Sequence, residues 1–115
     1  MSTAYRYAVE VPYKELYADE AAKLLEEGDV TIVDVRQPEQ YLGEHIRGSI
    51  LIPIRQLKDK IAELPLGRKL LFVCEDGTKS MVACELLLAA GFTAQNLFSV
   101  ADGLPGCKQA GFPID

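Results

Sequence analysis

A cysteine marks the point at which an apolar segment of the sequence gives way to a polar loop. The segment 70–73 consists of Leu, Phe and Val, which is typical of a strand buried on both faces in a parallel sheet. Cys74 closes this segment. The polar loop behind it consists of Glu75, Asp76, Gly77, Thr78 and Lys79. The thiolate of cysteine is a strong nucleophile, so this position carries a side chain suited to covalent group transfer.

The residues after the loop predict a helix whose N-terminus stabilises negative charge on the Cys74 sulfur. The segment 80–90 is rich in Leu and Ala, opens with the capping residue Ser80 and is followed by a glycine. A tight turn into such a helix directs backbone N–H groups at the sulfur, and the helix end adds about half a positive charge. Gly77 permits the positive φ of a tight turn, and Lys79 adds a cation. Strand, loop and helix alone leave open the alternative that Cys74 is a small buried apolar residue.

The composition predicts one globular domain and argues against several classes of function. The chain has 115 residues, enough for one hydrophobic core, and its net charge of −5 argues against nucleic-acid binding. No apolar run approaches the ~20 residues of a membrane span, and the N-terminus has no apolar leader, so we expect a cytoplasmic protein. The three cysteines include no C-x-x-C pair, which argues against a disulfide framework and against a zinc site.

Predicted strands and helices alternate along the chain. Strands are predicted at 9–11, 30–35, 49–52, 70–73 and 97–100, and helices at 15–27, at 54–64, at 80–90 and, in short form, from Pro38. This alternation predicts a single α/β domain over residues 1–115, with a mainly parallel sheet of about five strands and helices on both faces. Residues 1–8 are expected to fray, and the residues after 102 to form a turn and a short C-terminal piece. Ligands of such sheets bind beyond the carboxyl ends of the strands, where Arg36 and Cys74 are predicted to lie.

Three segments resemble the rhodanese family of sulfurtransferase domains. The similar segments are residues 32–41, residues 43–53 and the loop 74–80, and the resemblance extends over about residues 16–111. It implies a rhodanese-like three-layer sandwich with the sheet in the middle, and a reaction that needs no metal and no organic cofactor. Related phosphatases have a loop one residue longer, with an arginine at the position of Ser80. Lysine cannot give a phosphate the planar bidentate contacts of arginine, so the loop of this chain favours sulfur transfer.

The resemblance also implies the roles of the site residues. Cys74 is the nucleophile that takes a sulfur from a donor such as thiosulfate, holds it as a persulfide and passes it to an acceptor thiol or to a sulfur-relay protein. The loop 75–79 binds the donor, and Asp34, Arg36 and Ser80 support the site. Nucleic acid and membrane are not among the implied partners. The alternative function is a non-catalytic or sulfur-carrier module that binds a partner protein and has little activity with thiosulfate.

The acidic character of the loop departs from the family. Family loops often have a basic residue directly after the cysteine, where this chain has Glu75 and Asp76. A carboxylate beside a thiolate opposes the negative charge on the sulfur, and two carboxylates repel dianionic thiosulfate. We therefore expect weak activity with thiosulfate and a different donor, such as the persulfide of a small thiol or of a partner protein.

Several other side chains leave two interpretations open. Cys107 stands about where the family has a tryptophan, and it is either a core residue or a second thiol that accepts sulfur or forms a disulfide with Cys74. Cys84 lies in a predicted buried helix, where inert packing is expected. His45, the only histidine, is either a base for Cys74 or, as we favour, a structural residue of its loop. Asp102 either caps the last turn of the chain, which is the preferred interpretation, or adds to the acidic rim.

Overall fold

The structure of the protein is a computed structural model that describes residues 12–65 and 67–115. Its strands are β1 (Lys14–Leu16), β2 (Val30–Asp34), β3 (Ile50–Leu51), β4 (Lys69–Val73) and β5 (Leu97–Val100). Its α-helices are α1 (Ala18–Glu26), α2 (Pro38–Gly43), α3 (Ile54–Lys60), α4 (Thr78–Ala89) and α5 (Gly103–Gln109). Short 3-10 helices lie at Ile61–Glu63 and Ala94–Asn96. Strands and helices thus alternate along the described part of the chain, as the sequence predicts.

The strands of the described residues form one parallel sheet in the order β1-β5-β4-β2-β3. Strand β4 is central. On one side Asp34 of β2 pairs with Val73, and on the other Ser99 of β5 pairs with Phe72. The carboxyl ends of parallel strands lie at one edge of a sheet, so the residues after β2, β4 and β5 meet there. Cys74 directly follows β4 and therefore lies at the middle of that edge.

Two hydrophobic cores hold the helices against the two faces of the sheet. One core lies between the sheet and helices α3 and α4, and it includes Leu70 and Phe72 of β4. The other lies between the sheet and helices α1 and α5, and it includes Leu71 and Val73. Successive side chains of a strand point to opposite faces, so β4 is buried on both sides. Within residues 12–65 and 67–115, no helix is long and apolar enough to cross a membrane.

The predicted α/β class and parallel sheet are confirmed, whereas the first element boundaries are corrected. The strand predicted at 9–11 and the fraying predicted for 1–8 lie outside the described residues. Strand β1 occupies Lys14–Leu16, which overlaps the predicted start of a helix, because these residues pair with β5. Helix α1 begins only after Tyr17, whose N–H donates a hydrogen bond to the Glu20 carboxylate.

Further differences concern the loop after β4 and the end of the chain. Helix α4 begins at Thr78, two residues before the predicted start at Ser80, because Gly77 takes the N-cap position with a φ of 90°. Helix α5 forms where the sequence predicts only a turn. Its glycines and its proline are poor helix formers, so burial of Leu104 and Cys107 stabilises it instead. Strand β3 is shorter than predicted, and helix α3 ends earlier and continues as a 3-10 turn.

Candidate active site

The Cys74 side chain lies at the floor of the loop between β4 and α4. It faces the core on the α4 side of the sheet and is 1% exposed. Its Sγ accepts backbone hydrogen bonds from Gly77, at 3.1 Å, and from Ser80, at 3.4 Å. These N–H groups belong to the first turn of a helix of 12 residues, where the helix dipole is positive. The position therefore suits a sulfur atom that carries negative charge.

Two glycines allow the loop to pack against the turn between β5 and α5. Both have positive φ values, 90° at Gly77 and 63° at Gly103. A Cβ on Gly77 would lie 2.3 Å from the carbonyl oxygen of Ala101, and one on Gly103 would lie 2.2 Å from that of Glu75. The adjoining N–H of residue 104 donates to the carbonyl oxygen of Cys74 at 2.8 Å. Close backbone contacts thus fix the loop against the turn between β5 and α5, and these contacts require glycine at positions 77 and 103.

A pair of buried serine hydroxyls lies beneath the loop. Ser80 Oγ donates a hydrogen bond to the carbonyl oxygen of Gly77 at 3.1 Å and lies 2.7 Å from Ser99 Oγ. The same Oγ lies 3.6 Å from Cys74 Sγ. Ser99 is absent from the residues that sequence analysis singles out. Its signal in the sequence is a polar residue inside the otherwise apolar strand β5.

A buried ion pair between Asp34 and Arg36 lies beside the loop. Arg36 Nε and Nη2 contact the Asp34 carboxylate at 2.9 to 3.1 Å, and Nη2 also donates to the carbonyl oxygen of Glu44 at 2.7 Å. Burial acts to lower the pKa of Arg36, but the hydrogen bonds and charge of Asp34 outweigh it and raise that pKa above its ordinary value. Arg36 therefore stays charged, and its contacts with Asp34 fix the chain where it leaves β2.

The two acidic residues of the loop have different partners. Glu75 is 55% exposed, and its Oε1 lies 3.5 Å from Arg36 Nη1. Asp76 Oδ1 accepts hydrogen bonds from the Thr78 hydroxyl at 2.6 Å and from its N–H at 3.1 Å, and it lies 3.9 Å from Cys74 Sγ. The hydrogen bonds from Thr78 lower the pKa of Asp76, so this carboxylate stays ionised close to the sulfur. The negative charge of Asp76 thus lies close to the Cys74 sulfur, whereas the Glu75 carboxylate lies beside the Arg36 guanidinium.

The cation of the loop is Lys79, which is exposed. Its charge adds to the lowering of the Asp76 pKa. Among residues 12–65 and 67–115, no group of three or more His, Cys, Asp or Glu side chains is arranged to hold a metal ion. The site therefore combines a covered sulfur, two amide donors to it and two exposed carboxylates. This arrangement suits attack by Cys74 on a small atom of a substrate, such as a terminal sulfur.

Comparison with known proteins identifies the family of this chain. The family model described as Rhodanese-like domain matches residues 17–110. The chain belongs to this family. Thiosulfate sulfurtransferase GlpE of Pseudomonas syringae pv. syringae is 33% identical over 79% of this chain and 83% of that protein. Thiosulfate sulfurtransferase PspE of Escherichia coli is 38% identical over 53% of this chain and 61% of that protein.

Other relatives of this rhodanese-like domain are longer proteins. HTH-type transcriptional regulator Rv0324 of Mycobacterium tuberculosis is 37% identical over 78% of this chain and 39% of that protein. The uncharacterized protein slr1261 of Synechocystis is 30% identical over 79% of this chain and 50% of that protein, so the chain spans half or less of these two relatives. The crystal structure of a rhodanese-related protein from Thermoplasma volcanium matches with a TM-score of 0.78 and 28% identity, covering 90% of this chain and 98% of that chain.

The other two cysteines of the rhodanese-like domain lie in apolar surroundings. Cys107 is fully buried in the core on the opposite face of the sheet from Cys74, so the structure does not bring these two thiols together. Burial and the nearby charges of Asp102 and Asp34 raise the pKa of Cys107 to about 12. Cys84 is fully buried in α4, and burial raises the pKa of its thiol as well. Both environments favour packing roles over chemistry.

Two further side chains of the rhodanese-like domain have structural contacts. The His45 ring stacks on the Tyr41 ring with centroids 3.9 Å apart, and its Nδ1 lies 2.8 Å from the Tyr41 carbonyl oxygen. These contacts favour the structural interpretation of His45. Asp102 occupies the N-cap position of α5, as preferred from the sequence, but its side chain makes no capping hydrogen bond there. Its Oδ1 instead accepts a hydrogen bond from the N–H of Ala18, the first residue of α1, at 2.9 Å. The two residues are 84 positions apart, and no local pattern in the sequence indicates this contact.

Proposed function

We propose that this protein is a sulfurtransferase that carries a sulfane sulfur as a persulfide on Cys74. The observation that supports this most directly is the pair of N–H groups, from Gly77 and Ser80, that point at Cys74 Sγ from the N-terminus of α4. Two relatives, GlpE and PspE, are named as thiosulfate sulfurtransferases. The donor, the acceptor and the cytoplasmic location stay predictions.

In the loading step, the Cys74 thiolate attacks the outer sulfur of the donor. A bond forms between Sγ and that sulfur, while the bond between the two donor sulfurs breaks and its electron pair leaves with the inner sulfur. With thiosulfate the leaving group is sulfite. With an alkyl persulfide it is the alkyl thiolate, which takes up the proton of the persulfide. The protein keeps one added sulfur atom and one negative charge, and no outside oxidant or reductant is consumed.

In the unloading step, an acceptor thiolate attacks the outer sulfur of the persulfide. The sulfur–sulfur bond breaks and the Cys74 thiolate is restored. Cys74 Sγ is covered, and the transferable sulfur is a separate atom bonded about 2 Å from Sγ. The acceptor therefore has to reach the outer sulfur and not Sγ itself.

The hydrogen bonds around the loop stabilise the charge on sulfur in both steps. The N–H groups of Gly77 and Ser80 donate to Sγ from fixed backbone positions, so no reorganisation is needed when charge develops there. The hydroxyl pair of Ser80 and Ser99 holds the Gly77 carbonyl group and thereby the orientation of the loop. We infer that Ser99 is a positioning residue that acts through Ser80.

A second function, a sulfur-carrier or partner-binding module, is supported by the acidic rim of the loop. Glu75 and Asp76 are both exposed beside the covered sulfur, and carboxylates there disfavour small dianionic donors. One relative is named as a transcriptional regulator, and the region similar to this chain is 39% of it. In this alternative, Cys74 exchanges sulfur only with a bound partner protein, and free thiosulfate is not turned over.

Intact mass spectrometry after incubation with a sulfur donor tests the proposed function. Wild-type protein and Cys74→Ser are incubated with thiosulfate or with cysteine persulfide, and we expect a gain of one sulfur atom in the wild type alone. Cys107→Ala is the matched control, because it removes a different buried thiol and should retain the gain. Sulfite release in the presence of an acceptor thiol measures turnover.

Two results would contradict sulfur transfer through Cys74. One is a gain of sulfur in folded Cys74→Ser, and the other is no gain in the wild type with either donor. Loading of the wild type without turnover by small acceptor thiols would favour the carrier module over the enzyme. Sustained sulfite release without an added protein would favour the enzyme.

A further inference from the structure

The guanidinium of Arg36 has one nitrogen with a weak partner. Its Nε and Nη2 contact the Asp34 carboxylate and the Glu44 carbonyl oxygen at 3.1 Å or less. Its Nη1 has the Glu75 carboxylate at 3.5 Å, which is at the outer limit of a hydrogen bond. Arg36 is 3% exposed, so bulk water does not readily supply a better partner. A buried cation therefore keeps donor groups that a closer anion would satisfy.

This nitrogen lies beside the residue that follows Cys74 in the chain. Asp34 pairs with Val73 across β2 and β4, and the N–H of Val35 donates to the Val73 carbonyl oxygen at 3.0 Å. The same register places Arg36 next to Glu75 at the edge of the sheet. Glu75 directly follows the nucleophilic cysteine in the chain. The guanidinium charge therefore lies beside the loop that holds the nucleophile, and a donor oxyanion bound there would interact with both that charge and Glu75.

We propose that Glu75 determines the donor class by masking Arg36. With carboxylates on both sides, from Asp34 and Glu75, the guanidinium offers no net positive charge to an arriving oxyanion. The inference rests on sulfur transfer by Cys74 and names its substrate class. The site takes persulfides whose alkyl group is neutral or cationic in preference to dianionic thiosulfate.

Glu75 and Asp76 have different expected effects although they are adjacent. Asp76 lies 3.9 Å from the sulfur and is held by Thr78, so its charge acts on the nucleophile whatever the donor. The Glu75 carboxylate contacts Arg36 and not the Cys74 sulfur. Neutralising Asp76 therefore changes the rates with all donors through the sulfur, and it also weakens the repulsion of anionic donors. Neutralising Glu75 changes the preference between donors.

Sulfur loading with donors of matched size and different charge tests the masking. The donors are thiosulfate, the persulfide of cysteamine with its cationic ammonium group (the cationic persulfide) and the persulfide of 3-mercaptopropionate with its anionic carboxylate (the anionic persulfide). Intact mass at short times gives the rate constants. In the wild type we expect the cationic persulfide to react faster than the anionic one. Glu75→Gln should raise the rate constant with thiosulfate about tenfold and reduce the ratio of the two persulfide rates by a similar factor.

Glu75→Asp separates masking from simple repulsion. The shorter side chain keeps the negative charge at the rim, but it ends about 1.5 Å sooner and so loses its contact with Arg36 Nη1. Masking predicts a rise of about threefold in thiosulfate loading, between the wild type and Glu75→Gln. Simple repulsion predicts the wild-type rate. Glu26→Gln is the matched control, since it removes one exposed carboxylate from α1 and should change no donor preference.

The masking is overturned by either of two results in folded variants. In the first, Glu75→Gln leaves the order and the ratios of the donors unchanged. In the second, Glu75→Gln raises thiosulfate loading but Glu75→Asp keeps the wild-type rate. Both differ from failure of the proposed function, in which no donor adds sulfur to Cys74 of the wild type.

Discussion

Cys74 and Cys107 are buried to the same degree on opposite faces of one sheet, and their neighbours differ. Cys74 Sγ accepts hydrogen bonds from two backbone N–H groups and lies near a serine hydroxyl. Cys107 lies among apolar side chains, and burial and nearby carboxylates raise its pKa to about 12. The comparison teaches that the buried fraction of a thiol does not decide its suitability for chemistry. The donors that surround the sulfur decide it.

Selective alkylation is the largest effect expected from this difference. A thiol with a pKa of about 12 is ionised to about one part in 10⁴ at pH 8. We expect iodoacetamide, a neutral reagent, to modify Cys74 at least about 100-fold faster than Cys107 in the folded protein. Peptide mass mapping at short times measures both rates, and unfolding in urea should make them similar. Equal alkylation rates of Cys74 and Cys107 in the folded protein would contradict the proposed difference between the two thiols.

A methyl group at Gly77 should disrupt the loop around Cys74. Gly77→Ala places Cβ against the Ala101 carbonyl oxygen, so the loop must shift and sulfur loading should fall about 100-fold. Gly91→Ala, at the other end of α4, is the matched control because Gly91 also has a positive φ, 99°, but has open space around it. It should cost about 1 kcal/mol of stability and keep the loading rate. Equal loading by both variants would contradict the role of the close contact.

Removal of the Ser99 hydroxyl should have a smaller effect on loading. Ser99→Ala leaves Ser80 with its Gly77 partner but without the hydroxyl at 2.7 Å, so we expect a loss of about three- to tenfold in the rate constant. Ser49→Ala is the control, because Ser49 is also buried and donates to the Ile46 carbonyl oxygen at 2.6 Å. Rates are compared with thermal melting of both variants. A loss of rate in proportion to a loss of stability in both would make Ser99 merely structural.

The pH dependence of stability should report the surroundings of Cys107. Its pKa is raised from about 9.0 to about 12, so the folded state keeps a proton that the unfolded chain releases. This contribution is complete below pH 9 and is lost as the pH rises from there through about 12. Between pH 8 and 10.5, the free energy of unfolding of the wild type should fall by on the order of 2 kcal/mol more than that of Cys107→Ala. Parallel pH curves from urea denaturation would contradict it.

Local sequence patterns predicted the architecture and singled out Cys74, whereas its role as a nucleophile was implied by the family resemblance. Apolar runs and helix-forming segments alternate over short distances, and those local preferences predict strands, helices and hence the parallel sheet. The same patterns placed Cys74 between a buried strand and a helix N-terminus, where the structure has it. They predicted α5 poorly, because its glycines and proline conceal a helix that tertiary burial stabilises.

The partners of the site residues depended on the folded chain. Three contacts of these residues join remote positions of the sequence. Arg36 contacts Glu75, 39 positions away, and Ser80 contacts Ser99, 19 positions away. Asp102 accepts a hydrogen bond from the N–H of Ala18, 84 positions away. Hydrogen bonds and charge interactions change strongly over a few Å, and spacing along a chain does not encode such distances between remote segments. Glu75 and Asp76 are therefore equivalent acidic neighbours in the sequence. In the folded chain Glu75 contacts the Arg36 guanidinium, and Asp76 lies beside the Cys74 sulfur.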